Sequence, residues 1–182
     1  MMKKIMAFVL ALFAVVSFAG CGKSFEGYYV GEALENDGPY TYVMEVKPNQ
    51  GSKGYMLSVY RAEYSEYLNT VGRRTYGGTS KYKYSLIETF QVTDPKDSGV
   101  LHANLMGMPI DFSVDKEGNI VDKSGFTTST LRQQVRTYKK KDGFKEEDLK
   151  ADLQKRAMEY YKKKYNTGKY STLNEESIKF EG

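Results

Sequence analysis

The chain has 182 residues, and its 27 basic and 23 acidic residues give a formal net charge of +4. So small an excess excludes the strongly basic surface of a nucleic-acid-binding protein, and the single cysteine excludes an internal disulfide. The 16 Tyr, 9 Phe and 17 Gly residues, against 4 Pro and no Trp, favour strands and hairpin turns. Composition therefore predicts a mainly β protein.

The first 20 residues have the pattern of a secretory signal peptide. Two lysines precede an apolar run over residues 5–18, and the small residues Ala19 and Gly20 follow it. The run has 14 residues, whereas a membrane-spanning helix needs about 20 apolar residues. We therefore predict that residues 1–20 direct export through the Sec route and are then removed.

Cys21 is the only cysteine and directly follows Phe18, Ala19 and Gly20. This stretch resembles the lipobox of bacterial lipoproteins, in which an aliphatic and two small residues precede an invariant cysteine, with Phe18 in the place of the usual Leu. The resemblance implies that the Cys21 thiol receives a diacylglyceryl group, that a peptidase cuts before it, and that a fatty acid such as palmitate acylates the new amine. Membrane lipid is then the partner of Cys21.

The resemblance also implies a location in the cell envelope. Gly22, in place of the Asp that signals inner-membrane retention, favours the periplasmic face of the outer membrane where the organism has one. The other interpretation is an ordinary signal peptide followed by a free thiol at Cys21. An exported protein with one unpaired thiol would be unusual, because such thiols oxidise or mispair.

Removing residues 1–20 leaves 162 residues with a net charge of +2, enough for one domain with its own core. Residues 21–24 are the lipidated cysteine and a short tether. Three residues between Cys21 and Phe25 reach about 10 Å when extended, so we expect the domain to lie close to the bilayer. We assign residues 25–141 to a β domain and 142–182 to a helix and tail packed on it.

Alternation of apolar and polar residues predicts the strands of the β domain. Seven or eight strands joined by short turns favour an antiparallel meander, closed into a small barrel or packed as a sandwich. In the strand over 81–93 we expect one inward row, and in the strand over 126–140 we expect Leu131 and Val135 in the core. The predicted strands cover residues 25–34, 40–47, 54–64, 81–93, 100–106, 108–114, 120–122 and 126–140, and the inward row consists of Tyr82, Tyr84, Leu86, Phe90 and Val92.

The pattern changes to a helical period after Gly143. Residues 145–166 carry an apolar stripe that includes Leu149, Leu153 and Tyr161. Acidic residues fill the first turn and lysines the last, which complements the helix dipole. Beyond the helix, Ile178 and Phe180 predict one short strand.

A meander, then a helix, then a closing strand is the order seen in lipocalins. The opening Phe25-Glu26-Gly27-Tyr28-Tyr29 is similar to the lipocalin Gly-x-Trp motif, with Tyr29 in the Trp position. The chain departs from the family in having no Trp and in having Pro95 after Thr93-Asp94. The resemblance implies a lipocalin-like barrel with an interior ligand site.

Four polar or aromatic residues on predicted strands are candidates for a ligand cavity: Tyr42, Tyr84, Glu88 and Gln133. Glu88 interrupts an apolar row, and a buried carboxylate is costly unless it is paired or hydrogen-bonded. One interpretation is that Tyr hydroxyls and this carboxylate orient a small ligand. The other is that a β-bulge turns Glu88 outward or that it lies at a barrel mouth.

A Gly-rich loop is predicted between Tyr67 and Thr79, with Arg73 and Arg74 at its tip as candidate contacts for a protein partner. For catalysis the sequence offers little. His102 is the only histidine, it lies opposite an apolar face, and no Gly-x-Ser-x-Gly elbow accompanies it. We predict no catalytic residue, no metal site and no cofactor.

The expected function is therefore a lipid-anchored, non-enzymatic binding or structural module at the membrane surface. Its partner would be another envelope protein or a small amphiphilic ligand. Two alternatives stay open: a lipocalin-like carrier of an apolar or amphiphilic ligand, and an inhibitor of another protein or enzyme that acts through the loop from Tyr67 to Thr79.

Overall fold

The computed structural model describes residues 25–34, 37–71, 74–95, 99–128, 134–165 and 173–182, with the backbone alone at 69–71 and 74–76. It confirms a mainly β protein with one helix after the β domain and a short tail strand. The elements are β1 (Gly27–Gly31), β2 (Tyr40–Pro48), β3 (Tyr55–Val71), β4 (Arg74–Val92), β5 (Val100–Leu105), β6 (Met108–Val114), β7 (Ile120–Asp122), β8 (Arg136–Lys141), α1 (Glu146–Tyr165), a 3₁₀ turn (Glu175–Ser177) and β9 (Ile178–Glu181).

All nine strands belong to one sheet in the order β5-β6-β7-β8-β1-β2-β3-β4-β9. Neighbouring strands are antiparallel except β9, which pairs with β4 in parallel. In the described part of the chain the end strands β5 and β9 do not pair, so the sheet is open and no closed barrel forms. β9 takes the part of the outer edge of β4 from Gly78 to Lys81, on the side that a strand closing a barrel would have to occupy.

Apolar side chains bury both faces of the central strands. Tyr29, Met44 and Phe112 belong to the cluster on the inner face, which the curled sheet encloses. Val43 and Leu153 belong to the cluster between the outer face and α1. The buried helix stripe confirms the predicted amphipathic pattern; it consists of Leu149, Leu153, Ala157 and Tyr161.

A β-bulge interrupts β4. Val59 lies opposite Glu88 while Tyr60 lies opposite Leu86, so Ile87 is an extra residue on this strand. An extra residue reverses which side chains face each side of the sheet. The expected single row is therefore wrong: Tyr82 and Tyr84 pack in the cluster under the helix, whereas Phe90 and Val92 pack in the inner cluster.

The segment from Tyr67 to Thr79 is not the loop that we expected. These two residues lie opposite each other, and the ladder of β3 and β4 continues to the pair Val71 and Arg74. Gly78 allows this close pairing, because a Cβ at its φ of +152° would lie 2.5 Å from the Tyr67 carbonyl oxygen. The hairpin is therefore a two-stranded arm whose ladder reaches Val71 and Arg74.

The eighth strand is shorter than expected and begins at Arg136. Val135 is 44% exposed, so its expected place in the core is wrong; Leu131 lies outside the described residues. Residues 124–128 do not form a ladder because the buried Asp122 carboxylate binds them, accepting hydrogen bonds from the N–H groups of Ser124 (2.8 Å) and Thr127 (2.9 Å). Such side-chain bonds offer the backbone an alternative to strand pairing.

Candidate functional site

The structure describes only part of the set of residues singled out from the sequence. Cys21, Arg73 and Gln133 lie outside the described residues. For Arg74 the backbone alone is described, and it pairs with Val71 at the end of the β3–β4 arm. The predictions on these residues therefore stay predictions.

The described cavity candidates do not meet in one site. Tyr42 packs against the inner cluster, and the guanidinium carbon of Arg136 lies 5.3 Å from the centre of its ring. Tyr84 packs under the helix, where its ring stacks on Tyr60 at 5.0 Å. Tyr42 and Tyr84 therefore lie on opposite faces of the sheet and cannot line the same cavity.

Glu88 lies at the bulge, and one of its carboxylate oxygens accepts the backbone N–H of Thr89 at 2.9 Å. The bulge that we considered as one explanation for this residue is present. This hydrogen bond is exposed to solvent, so the charge of the carboxylate does not need a bound ligand to neutralise it. Its contact is with the edge of the sheet rather than with Tyr42 or Tyr84.

The most constrained polar feature is a buried ion pair between Arg136 and Asp37. The two terminal nitrogens of the guanidinium donate to the two carboxylate oxygens at 2.8 and 3.0 Å. The guanidinium also donates to the carbonyl oxygens of Glu32 at 2.8 Å and Thr127 at 3.3 Å. It thereby joins the chain after β1 to the chain before β8.

Gly31 makes room for this arginine. A Cβ at Gly31 would lie 2.9 Å from Cδ of Arg136 and 3.1 Å from the ring of Tyr138. Because the guanidinium is held at its far end by Asp37, the arginine stem cannot easily move away. The absence of a side chain at this position lets Arg136 cross β1.

Each partner of the pair favours the charged form of the other. Burial alone would raise the pKa of the Asp37 carboxyl, but the hydrogen bonds from Arg136 and from the Leu34 N–H outweigh it, and the pKa lies below its usual value. Burial alone would lower the pKa of Arg136, but Asp37 raises it above its usual value. Both groups are therefore charged at neutral pH.

A second charged group, Glu45, lies buried on the outer face of β2. Its carboxylate accepts hydrogen bonds from the hydroxyls of Tyr28 and Tyr60 and forms an ion pair with Lys47 Nζ at 2.9 Å. The hydrogen bond to Glu45 and burial raise the pKa of Tyr28 to about 12. Stacking of Tyr28 on Phe144, with ring centres 4.6 Å apart, covers the site from the helix side.

The stability of the fold should fall in acid because of these two carboxylates. Burial alone would raise the pKa of Glu45, but the hydrogen bonds from Tyr28 and Lys47 lower it by more than burial raises it. In the folded protein the pKa of Glu45, like that of Asp37, therefore lies below its ordinary value. The ionised carboxylates of Glu45 and Asp37 therefore stabilise the fold at pH values above their ordinary pKa values of 4.5 and 3.8. This stabilisation is lost as the pH falls through their lower pKa values in the folded protein. Urea denaturation from about pH 7 to about pH 2 would measure the decline.

The variant Glu45→Gln separates the contribution of this residue. At neutral pH it should lower the free energy of unfolding by about 1–3 kcal/mol, because hydrogen bonds to a charged acceptor are lost. As pH falls through the lowered folded pKa of Glu45, the wild-type side chain also becomes neutral, so the two proteins should converge. Glu176→Gln, at an exposed position in the 3₁₀ turn, is the control. A Glu45→Gln difference that is constant with pH would contradict the assignment.

Sequence reasoning missed Asp37, Arg136 and the burial of Glu45. One signal was present: Arg136 lies two residues before Tyr138, so both point to the same face of a strand, and Tyr138 is buried. An arginine in a buried row predicts a buried carboxylate partner. Nothing in the sequence indicates that the partner is Asp37, because 99 residues separate the two.

Two grooves lie beside α1, and no residue of the inner cluster lines either of them. One of about 480 Å³ runs beside the second half of α1 and is lined by Gly38, Arg156, Tyr160 and Lys163. Another of about 400 Å³ lies at the start of α1, with Phe144 on its wall. Both are open to solvent, with charged side chains at their rims.

His102 is exposed, and its Nδ1 lies 2.9 Å from a carboxylate oxygen of Asp111 on the neighbouring strand. In the described ranges no group of three or more His, Cys, Asp or Glu side chains is arranged to hold a metal ion. None of the helices in those ranges is long and apolar enough to cross a membrane.

Comparisons with protein-family models, with curated proteins and with solved structures found no match to this chain.

Proposed function

We propose that this protein is a lipid-anchored component of the cell envelope that acts as a non-enzymatic binding or structural module at the membrane surface. The observation that carries the proposal is the lipobox-like stretch ending at Cys21. Attachment of two or three acyl chains supports firm anchoring, because each buried methylene contributes about 0.8 kcal/mol and one chain alone is marginal.

The position of Phe25 supports a short distance between the lipid and the fold. Its ring packs on Tyr29 at 5.4 Å and on Tyr55 at 5.7 Å, so a residue only four positions after Cys21 already packs in the fold. These contacts lie where β1 and β3 begin. That end of the sheet would face the bilayer.

The β3–β4 arm extends in the other direction. β3 has 17 residues and begins beside Phe25, and at about 3.3 Å per residue it is roughly 50 Å long. The arm would therefore point away from the membrane, toward other envelope components. This arrangement suits a module that binds or positions a partner.

A lipocalin-like carrier is less consistent with the inner face of the sheet. A carrier needs an interior cavity of several hundred cubic ångströms for its ligand. Here large side chains fill that side and contact one another: Tyr29, Met44, Phe90, Phe112 and Tyr138 are all buried in one cluster.

The variant Cys21→Ser tests the anchor in a bacterial host. We expect the wild-type chain to incorporate labelled palmitate and to sediment with membranes, and the variant to lose the label and appear in the soluble envelope fraction. Ser24→Ala is the control, since it alters the tether without removing the thiol. A wild-type chain without label, or a variant that remains in the membrane fraction, would contradict the proposal.

A further inference from the structure

The outer edge of β4 is only partly covered. β9 pairs with the stretch from Gly78 to Lys81, and Gly182 at its end lies beside Tyr82. Beyond that point no strand in the described ranges pairs with this edge. Two large apolar side chains next to it are exposed, Leu86 by 56% and Ile87 by 48%. Uncovered edges with exposed apolar residues are sites where another strand can add.

The register shows which main-chain groups point outward. Tyr64 donates its N–H to the Pro39 carbonyl oxygen at 2.9 Å, on the side of β3 away from β4. Main-chain groups alternate sides along a strand, so Ala62 also turns away from β4. Its opposite residue, Tyr84, therefore directs its N–H and C=O to the outer edge, and Leu86 does the same.

Glu88 ends this uncovered stretch. Thr89 is the next residue whose N–H points outward, and the Glu88 carboxylate already accepts it at 2.9 Å. The bulge at Ile87 also bends the strand there. The available edge thus runs from the end of β9 to the bulge, and its outward main-chain groups are those of Tyr84 and Leu86.

We propose that this edge binds an extended segment of a partner protein, which adds to β4 in parallel and in line with β9. β9 shows that the edge accepts a strand in this direction. The exposed side chains of Leu86 and Ile87 would pack against apolar side chains of the segment, which we expect to alternate with polar ones and to be β-branched. The inference rests on the proposed function as a binding module and names its binding surface.

The charge near the edge specifies the segment further. The carboxylates of Glu146 and Glu147, in the first turn of α1, lie near Tyr82 and exceed by one charge the Lys150 ammonium, which lies 4.9 Å from the centre of the Tyr82 ring. A basic residue in the segment would complement them. The expected ligand is therefore an extended, β-branched segment with a flanking Lys or Arg.

Amide hydrogen exchange measured by NMR tests the proposal on the mature chain carrying Cys21→Ser. The probe is the peptide acetyl-Lys-Thr-Val-Thr-Val-Thr-Lys-amide. Exchange at Tyr84 and Leu86 should slow about tenfold when the probe is present at ten times its dissociation constant. The amides of Lys83 and Ser85, which point toward β3, and of Thr89 should change little. Unaltered exchange at Tyr84 and Leu86 would overturn the proposal.

Two variants of one residue separate strand addition from apolar adhesion. Leu86→Pro removes an outward N–H without removing a bond to β3, and edge strands tolerate such a proline. Leu86→Ala keeps the N–H and loses the same side chain. We expect the proline variant to bind the probe at least about tenfold more weakly than the alanine variant, a difference of about 1.4 kcal/mol. Equal binding would overturn the proposal.

If Leu86→Pro does not fold, the same question can be asked with a probe peptide that is methylated on the backbone nitrogen of both valines and so lacks these two donors. Tight binding of that probe would overturn the proposal. Protection of Tyr84 and Leu86 that rises with protein concentration, without probe, would identify a second copy as the occupant and also overturn it. The unlipidated chain is used throughout, so failure here is distinct from failure of the palmitate experiment.

Discussion

Replacing Arg136 with Met should lower the free energy of unfolding by about 3–5 kcal/mol, because it leaves a buried carboxylate without its counter-charge. The carboxylate of Asp37 accepts both terminal nitrogens of the guanidinium, and both side chains are buried. The carbonyl oxygens of Glu32 and Thr127 would also lose their donor. Urea denaturation at neutral pH gives the measurement.

The double variant Asp37→Leu with Arg136→Met is the informative control. Apolar replacement of a whole buried ion pair is often neutral or stabilising. Here it should recover only part of the loss, because two carbonyl oxygens still lack the donor that Arg136 provided. A single Arg136→Met variant that costs less than about 1 kcal/mol would show that the pair contributes no more than an exposed one.

Replacing Leu153 with Ala should cost about 2–5 kcal/mol, the range for large-to-small changes in a packed core. Leu153 is fully buried in the cluster between α1 and the outer face of the sheet, with Ala157 and Tyr161 on the same helix stripe. The smaller side chain leaves a cavity that the rigid sheet below cannot close. Gln154→Ala, on the exposed side of the same turn, should change stability by less than about 0.5 kcal/mol.

A contact between two hydroxyl groups, at the end of the helix stripe, supports a second measurement of how firmly α1 packs on the sheet. Tyr161 and Ser80 hydroxyl oxygens lie 2.8 Å apart, which joins α1 to β4. If Leu153→Ala loosens the helix, hydrogen exchange should rise along α1 before it rises in β3. Equal stability of Leu153→Ala and Gln154→Ala would contradict the packing of the helix on the sheet.

Local patterns in the sequence were sufficient for most of the elements. The hairpin across Met106 and Gly107 follows from a glycine between two alternating runs, and both residues have positive φ values of 51° and 87°. The helix follows from its apolar stripe and its charged ends, and the tail strand from Ile178 and Phe180. These features depend on residues near one another in the chain, so their physical causes can be read without tertiary information.

The candidate ligand site could not be predicted in the same way. The expected cavity grouped Tyr42 with Tyr84 by assuming that alternation runs unbroken through Glu88. One extra residue, Ile87, reverses the faces of β4 and separates the two tyrosines. The energy of a bulge depends on the strands beside it, and the local sequence therefore does not reveal its position.

The sequence by itself determined the mainly β character and the helix, and it predicts an export signal and a lipid site at Cys21. Only the tertiary structure decided that the sheet stays open, that β9 adds to β4 in parallel, and that Asp37 pairs with Arg136. It also decided that Glu45 is buried, because the residues covering it, Tyr28 and Tyr60, come from other strands. The physical reason is the same in each case. Periodicity reports which side chains are apolar along one element, whereas burial and pairing depend on which distant element lies against it.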